Sequence, residues 1–304
     1  MKNFLLFSGS SNIPLAEEVA KLLHIQLGNV DLTRFADGEV RPWIQEDVRD
    51  KAVFVLQSLS HPMDEHIMEL TLMGDAIRRS APKTMIAIIP YLGYARQDKQ
   101  HRVGEPVSAR VIAKILEVSK FKEIITVDLH NDAIVGFFQI PVTHIAIVDL
   151  LAHQIKALKL KNAVIVSPDV GGVKRARNIA YATDLPMVVM EKKRFLDRTD
   201  TTEHFQIIGE VGGRDAIIVD DMIASGTTLA TAAPSLREAG VTSISVLATH
   251  GVLAGVALER LDAARIDRIV LTNTINIPQE KRIRKLRVIS VAPLLADAIS
   301  HIIR

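Results

Sequence analysis

Apolar and polar positions along this chain alternate between two rhythms. Short runs rich in Val, Ile and Phe at residues 4–7, 53–57, 85–89, 124–127 and 163–166 read as buried strands, as do 187–190, 216–219, 244–247, 269–272 and 288–291. Between them, apolar residues return at helical spacing, as in Leu15, Val19, Leu22 and Leu23, or Ile67, Leu70, Met73 and Ile77. The same spacing runs through residues 147–158, through Leu229, Ala232, Ala233 and Leu236, and through a last helix at 293–303. A helix begins near Pro106, because Pro suits a first helical turn. The strand runs are continuously apolar, as expected of parallel strands covered on both faces. Strand and helix in strict alternation predict an α/β fold of doubly wound parallel sheets.

The alternation fills two stretches of domain size that meet near residues 140–150, with no linker rich in Pro, Gly or Ser between them. Residues 196–213 are charged and turn-rich around one apolar segment at 205–208, and read as an excursion from the sheet. Lys174, Arg175 and Arg177 read as the solvated face of one helix. Pro234 falls inside a helical stretch, where Pro costs about 3 kcal/mol or bends the helix.

Composition narrows the function. The 304 residues carry a formal charge of +2, which gives no case for nucleic-acid binding. Cysteine is absent, which excludes disulfides and thiolate metal sites and fits the cytoplasm. There is no run of about 18 apolar residues to span a membrane and no signal-peptide pattern at the start.

The candidate chemistry collects at the predicted carboxyl ends of strands, where open α/β sheets bind ligands. The strand at 216–219 runs into Asp220 and Asp221, then into Met222-Ile223-Ala224-Ser225-Gly226-Thr227-Thr228 and a helix. A strand, a tight loop and a helix N-terminus aim backbone N–H groups and a positive dipole end at one spot. Ser225, Thr227 and Thr228 add hydroxyls, and Gly226 allows close approach of the backbone. A phosphate suits that spot, with the two carboxylates beside it on ribose hydroxyls or Mg²⁺. Other strand ends carry Arg96, Gln97 and Asp98, Asp128 and His130, Asp169, and Lys192 and Arg194. Cations, carboxylates and a phosphate cradle are what phosphoryl-type transfer uses. No P-loop sequence and no Ser-His-Asp order is present.

Six segments carry a resemblance: FADGE at 35–39, GYARQD at 93–98, VDLH at 127–130, SPDVGG at 167–172, the DD loop, and ATHG at 248–251. In this order and rough spacing the chain resembles the ribose-phosphate diphosphokinase (phosphoribosyl pyrophosphate synthetase) family over nearly its whole length. The DD loop alone is shared with phosphoribosyltransferases. The resemblance implies two phosphoribosyltransferase-like (type I) domains, each a mainly parallel sheet flanked by helices. Residues 1–145 would bind ATP and residues 146–304 ribose 5-phosphate, the last helix being free to pack on the first domain. It implies transfer of the β,γ-diphosphoryl group of ATP to the 1-hydroxyl of ribose 5-phosphate. The alternatives are a phosphoribosyltransferase and a non-catalytic regulatory relative.

By the same resemblance, Phe35, Asp37 and Glu39 hold adenine, reaching from a neighbouring subunit, and Arg96, Gln97 and Asp98 complete the ATP site. His130 and Asp169 lie by the Mg²⁺. Asp220 and Asp221 meet the ribose hydroxyls, Ala224, Ser225, Gly226, Thr227 and Thr228 cradle the 5-phosphate, and Lys192 and Arg194 stabilise the transferring group. The implied assembly is a homo-oligomer built from dimers, up to a hexamer. In the family Ala224 is often acidic, and the loop after GYARQD is richer in cations than residues 100–104 here. A phosphate and ADP site between subunits draws on a Ser-containing tail in many members. With Arg49, Arg78, Arg79 and Ser80 as the remaining donors, the expectation is activity that needs little phosphate and ADP that competes with ATP.

Overall fold

The computed structural model describes residues 3–193 and 204–304. The chain forms two compact units, residues 1–145 with 273–276 and 290–304, and residues 146–272 with 277–289.

In the first unit the chain runs through β1 (Phe4–Ser8), α1 (Ile13–Leu22), β2 (Val30–Arg34), β3 (Val40–Ile44), β4 (Ala52–Leu56), α2 (Met63–Arg79), β5 (Thr84–Ile89), α3 (Ser108–Val118), β6 (Glu123–Val127) and β7 (Val142–Ile145). Five strands form a parallel sheet in the order β1-β4-β5-β6-β7, and β2 and β3 form a separate antiparallel hairpin. The core joins Phe7, Val55, Ala87 and Ile89 of the sheet to Ile67, Leu70, Met73 and Ile77 of α2. The helical spacing therefore marks the face that is buried. Leu22, by contrast, ends α1 at 46% exposed, while Leu23 just beyond it is buried.

The second unit comprises α4 (Val148–Ala157), β8 (Ala163–Ser167), α5 (Val173–Thr183), β9 (Met187–Lys193), β10 (His204–Ile208), β11 (Asp215–Ile223), α6 (Thr227–Glu238), β12 (Ser243–Gly251), α7 (Ala257–Ala263), β13 (Arg268–Thr272) and β14 (Leu286–Ile289). Its seven-stranded sheet has the order β10-β9-β8-β11-β12-β13-β14. All pairings are parallel except that of β10, which runs antiparallel to β9 at the edge. The apolar segment at 205–208 is therefore no excursion: its backbone pairs with β9, Ile207 opposite Met190. The chain ends with α8 (Ala292–Ile303), which packs on α1 in the first unit. There Asn12 Nδ2 donates to the Asn273 carbonyl at 2.8 Å and Ser58 Oγ to that of Thr274 at 2.6 Å, which ties the short return segment to the stretches that follow β1 and β4.

Strand order separates the sheets. In the first it rises monotonically from one edge to the other. In the second it reverses between β8 and β11, which pair directly, Ile218 opposite Val166. Loops leave the carboxyl ends of two such strands in opposite directions and open a crevice there.

Candidate active site

The crevice of the second unit holds the predicted phosphate loop. β11 does not stop before the carboxylates, as the apolar run predicts, but continues through them to Ile223, because β12 extends alongside and pairs Asp220 with Ala248 and Met222 with His250. Asp221 is 4% exposed and Asp220 half-buried. Asp220 Oδ1 accepts from the Asp221 amide at 2.8 Å. Burial drives the Asp220 carboxyl well above the usual carboxylate range, and the charge of Asp221 adds to the shift, while that amide and Arg175 oppose it. Two adjacent carboxylates, one buried and one half-buried, cannot both ionise cheaply.

The loop then turns at Gly226, whose φ of +70° is left-handed and which caps α6. A side chain here would be strained and would crowd Leu261. Ser225 Oγ and Thr227 Oγ1 lie 3.0 Å apart, and the first turn of α6 presents its amides beyond them. Leu229, Ala232, Ala233 and Leu236 bury the opposite face of α6 in the core. Pro234 lies within α6 and lines a cavity of about 680 Å³ shared with Ala230, Arg237 and Arg260.

Across the crevice, Asp169 follows β8. Its Oδ1 accepts from the Gly172 amide at 2.8 Å at the start of α5, and its carbonyl accepts from Ser167 Oγ at 2.7 Å. The carboxylate is exposed and pre-oriented by these bonds. α5 also sends Arg175 toward Asp221, with Nη1 3.7 Å from Oδ1. Arg175 is thus no part of a solvated face: its side chain is 18% exposed and it neutralises the buried carboxylate. Helical spacing alone could not find it, since Arg175 sits beside Ala176 on the edge of the buried stripe. The Lys192 backbone lies in β9 opposite Phe205, and Arg194 lies outside the described residues.

In the first unit the loops after β5 and β6 are tied together. Asn131 Nδ2 donates to Asp98 Oδ2 at 2.7 Å, next to the exposed His130. Gln97 accepts from Ser108 Oγ at the start of α3, and Arg96 is exposed. His144 on β7 accepts the Leu129 amide on Nε2 at 2.9 Å, so its proton sits on Nδ1, 3.4 Å from Asp132. That relay sets the backbone next to His130. The Tyr94 hydroxyl, with φ of +63° at its own backbone, donates to Asp64, and this bond holds its proton more firmly than in a free phenol. His144, Asn131, Asp132 and Asp64 carry no signal in the sequence, because each acts across a distance that only folding closes.

Phe35, Asp37 and Glu39 form the exposed tip of the β2–β3 hairpin. Asp37 Oδ1 accepts from the Glu39 amide at 3.2 Å, and Arg41 stacks 5.4 Å over the Phe35 ring. Phe35 is 52% exposed. Arg78 and Arg79 both pair with Asp75 at 2.7 Å. Among the described residues, no group of three or more His, Asp or Glu side chains gathers as a metal site, and no helix is long and apolar enough to cross a membrane.

Comparison with known proteins gives the family. Residues 4–119 match the model of the N-terminal domain of ribose phosphate pyrophosphokinase, and residues 198–304 that of the phosphoribosyl synthetase-associated domain. The ribose-phosphate pyrophosphokinase of Bacillus caldolyticus is 41% identical over 98% of this chain and 94% of its own length. That of Bacillus subtilis is 42% identical over 99% and 94%. The chain belongs to the ribose-phosphate pyrophosphokinase family. The same enzyme of Corynebacterium ammoniagenes is 42% identical over 99% of this chain. The crystal structure of phosphoribosylpyrophosphate synthetase from Mycobacterium smegmatis superposes with a TM-score of 0.93, at 38% identity over 99% of both chains. Family membership covers both units, and with them the fold class the resemblance implies.

Proposed function

We propose that this chain transfers the β,γ-diphosphoryl group of ATP to the 1-hydroxyl of ribose 5-phosphate, forming 5-phosphoribosyl 1-diphosphate and AMP. The observation that carries the reading is the loop at 224–228, which turns at the left-handed Gly226 and is set at the strand-order reversal beside the buried Asp221 and half-buried Asp220, in a chain of this family. Its amides and hydroxyls would take the 5-phosphate, and Asp220 and Asp221 the ribose hydroxyls. Phe35, Asp37 and Glu39 would hold adenine, and Arg96, Gln97 and Asp98 the rest of ATP. Lys192 and Arg194 would meet charge as it develops on the transferring group.

The donor set fits Mg²⁺. The carboxylates are hard oxygen ligands, thiols are absent, and no complete protein cage exists among the described residues. Mg²⁺ keeps waters and takes substrate phosphates alongside one or two carboxylates. By the family resemblance Asp169 and His130 are the residues that would serve it, and when bound it would neutralise phosphate charge. The protein would act in the cytoplasm as a homo-oligomer.

The test is a coupled assay for AMP from ATP and ribose 5-phosphate. Stoichiometric AMP and phosphoribosyl diphosphate is the expected result. Consumption of phosphoribosyl diphosphate with a nucleobase, independent of ATP, would instead mark a phosphoribosyltransferase.

A further inference from the structure

The phosphate loop is held from outside by a residue that the strand-end pattern does not include. Arg260 lies on α7, a helix the apolar periodicity does not predict, 33 positions beyond Thr227. Its Nη1 donates to the Ser225 carbonyl and, at 3.0 Å, to Thr227 Oγ1. Both acceptors flank Gly226, the one residue of the loop in the left-handed region. Leu261, next along α7, is buried and lies beneath Gly226, so the helix that carries Arg260 is fixed against the loop by packing.

These bonds decide more than loop shape. A hydroxyl that accepts from a guanidinium has one proton left to give. Thr227 Oγ1 must send it either outward, to a bound anion, or to Ser225 Oγ at 3.0 Å, and in the second case the Ser225 proton is the one turned outward. Either way the chain of hydroxyls begins at a cation and ends as a donor facing the loop, and each bond polarises the next. Without Arg260 the Ser225 carbonyl is released as an acceptor, so the spare hydroxyl proton can turn to it and leave a lone pair, rather than a proton, toward the site.

We infer that Arg260 is a positioning residue for ribose 5-phosphate: it orients the hydroxyls of Thr227 and Ser225 as donors to the sugar phosphate. This rests on the reading of residues 224–228 as the phosphate cradle. Acting through Thr227 and Ser225, Arg260 should on its loss raise the KM for ribose 5-phosphate while leaving that for ATP unchanged. A lost charge-assisted bond of this kind corresponds to about 10- to 100-fold in affinity.

The experiment measures ribose 5-phosphate KM, ATP KM and kcat for Arg260→Met, Arg260→Lys, Thr227→Val and the double variant Arg260→Met/Thr227→Val, with thermal melting to confirm folding. Arg260→Met should raise the KM for ribose 5-phosphate about 10-fold or more, and Arg260→Lys, which keeps the charge, less. In the Thr227→Val background the Arg260 substitution should add little, since both act through one hydroxyl. Additive losses, or equal rises in both KM values, would overturn the inference. So would Thr227→Val weakening ribose 5-phosphate while Arg260→Met and Arg260→Lys, both folded, match the wild type. If Thr227→Val itself leaves ribose 5-phosphate untouched, the cradle reading falls and this inference falls with it.

Discussion

Each unit begins a helix just after a strand with a loop of small, hydroxylated residues, and the two loops have opposite fates. In the first unit, residues 8–12 (Ser-Gly-Ser-Ser-Asn) lead from β1 toward α1. There Glu69, 4% exposed, accepts from the Ser10 amide at 2.7 Å and from Ser10 Oγ at 2.9 Å. Gln57 takes the Ser11 amide at 3.1 Å and its hydroxyl at 2.6 Å, and donates in turn to Glu69. A Cβ on Gly9 would run into the Gln57 amide. The donors that could cradle an anion are thus spent on a carboxylate of the protein itself and on the carboxamide bonded to it. In the second unit the carboxylates stand beside the loop, and its donors are the ones proposed to take the sugar phosphate. Hydroxyl-rich βα loops are one device with two uses, and which use is made depends on where the nearest buried carboxylate comes from.

The largest effect should come from the transfer step that the proposal gives to Lys192 and Arg194. Lys192→Ala and Arg194→Ala should each lower kcat about 10²–10³-fold with smaller changes in either KM. Steady-state rates that show raised KM at normal kcat would return those cations to substrate binding. Next in size is the plug in the first unit. Glu69→Ala leaves the Ser10 amide and the Gln57 amide without their buried acceptor, a loss of about 2–4 kcal/mol in urea unfolding. The same variant should keep its KM for ribose 5-phosphate, and a raised value there would mean that the two loops are not independent.

Smaller, and diagnostic through its sign, is the pH dependence set by Asp220. Its folded-state pKa is raised by burial and by Asp221, so between the ordinary carboxylate value and the raised one the native state keeps a proton that the unfolded chain has released. Stability therefore falls as pH rises through that window, and the deficit is complete above it. Asp220→Asn should melt higher than the wild type at pH 8, with the gap closing as pH falls through the window. A gap that widens on acidification would reverse the assignment. The smallest effect is at the hairpin tip. Arg41→Ala removes a cation stacked on Phe35, a contribution of about 0.5–1 kcal/mol, and should raise the KM for ATP about two- to fivefold.

The apolar rhythm by itself determined the fold class, most strands and helices, and the loop at 224–228, because burial of Val and Ile runs and of helical stripes is a local pattern with a global meaning. Strand ends were less legible. β9, β11 and β12 run past their apolar cores into polar residues because neighbouring backbones offer hydrogen bonds there, and composition carries no trace of that pairing. β7 and α7 were invisible for a different reason, being too short to show a period.

The candidate site divides along that line. Asp220, Asp221 and residues 224–228 are contiguous, so one segment states their chemistry. Arg175, Arg260 and His144 reach their partners from 46, 35 and 15 positions away. Only the tertiary structure decided those contacts, and it alone decided that Glu69 would close one loop while the other stayed open. A side chain's partners depend on which backbone folding brings beside it, and strand order, not residue type, makes that choice.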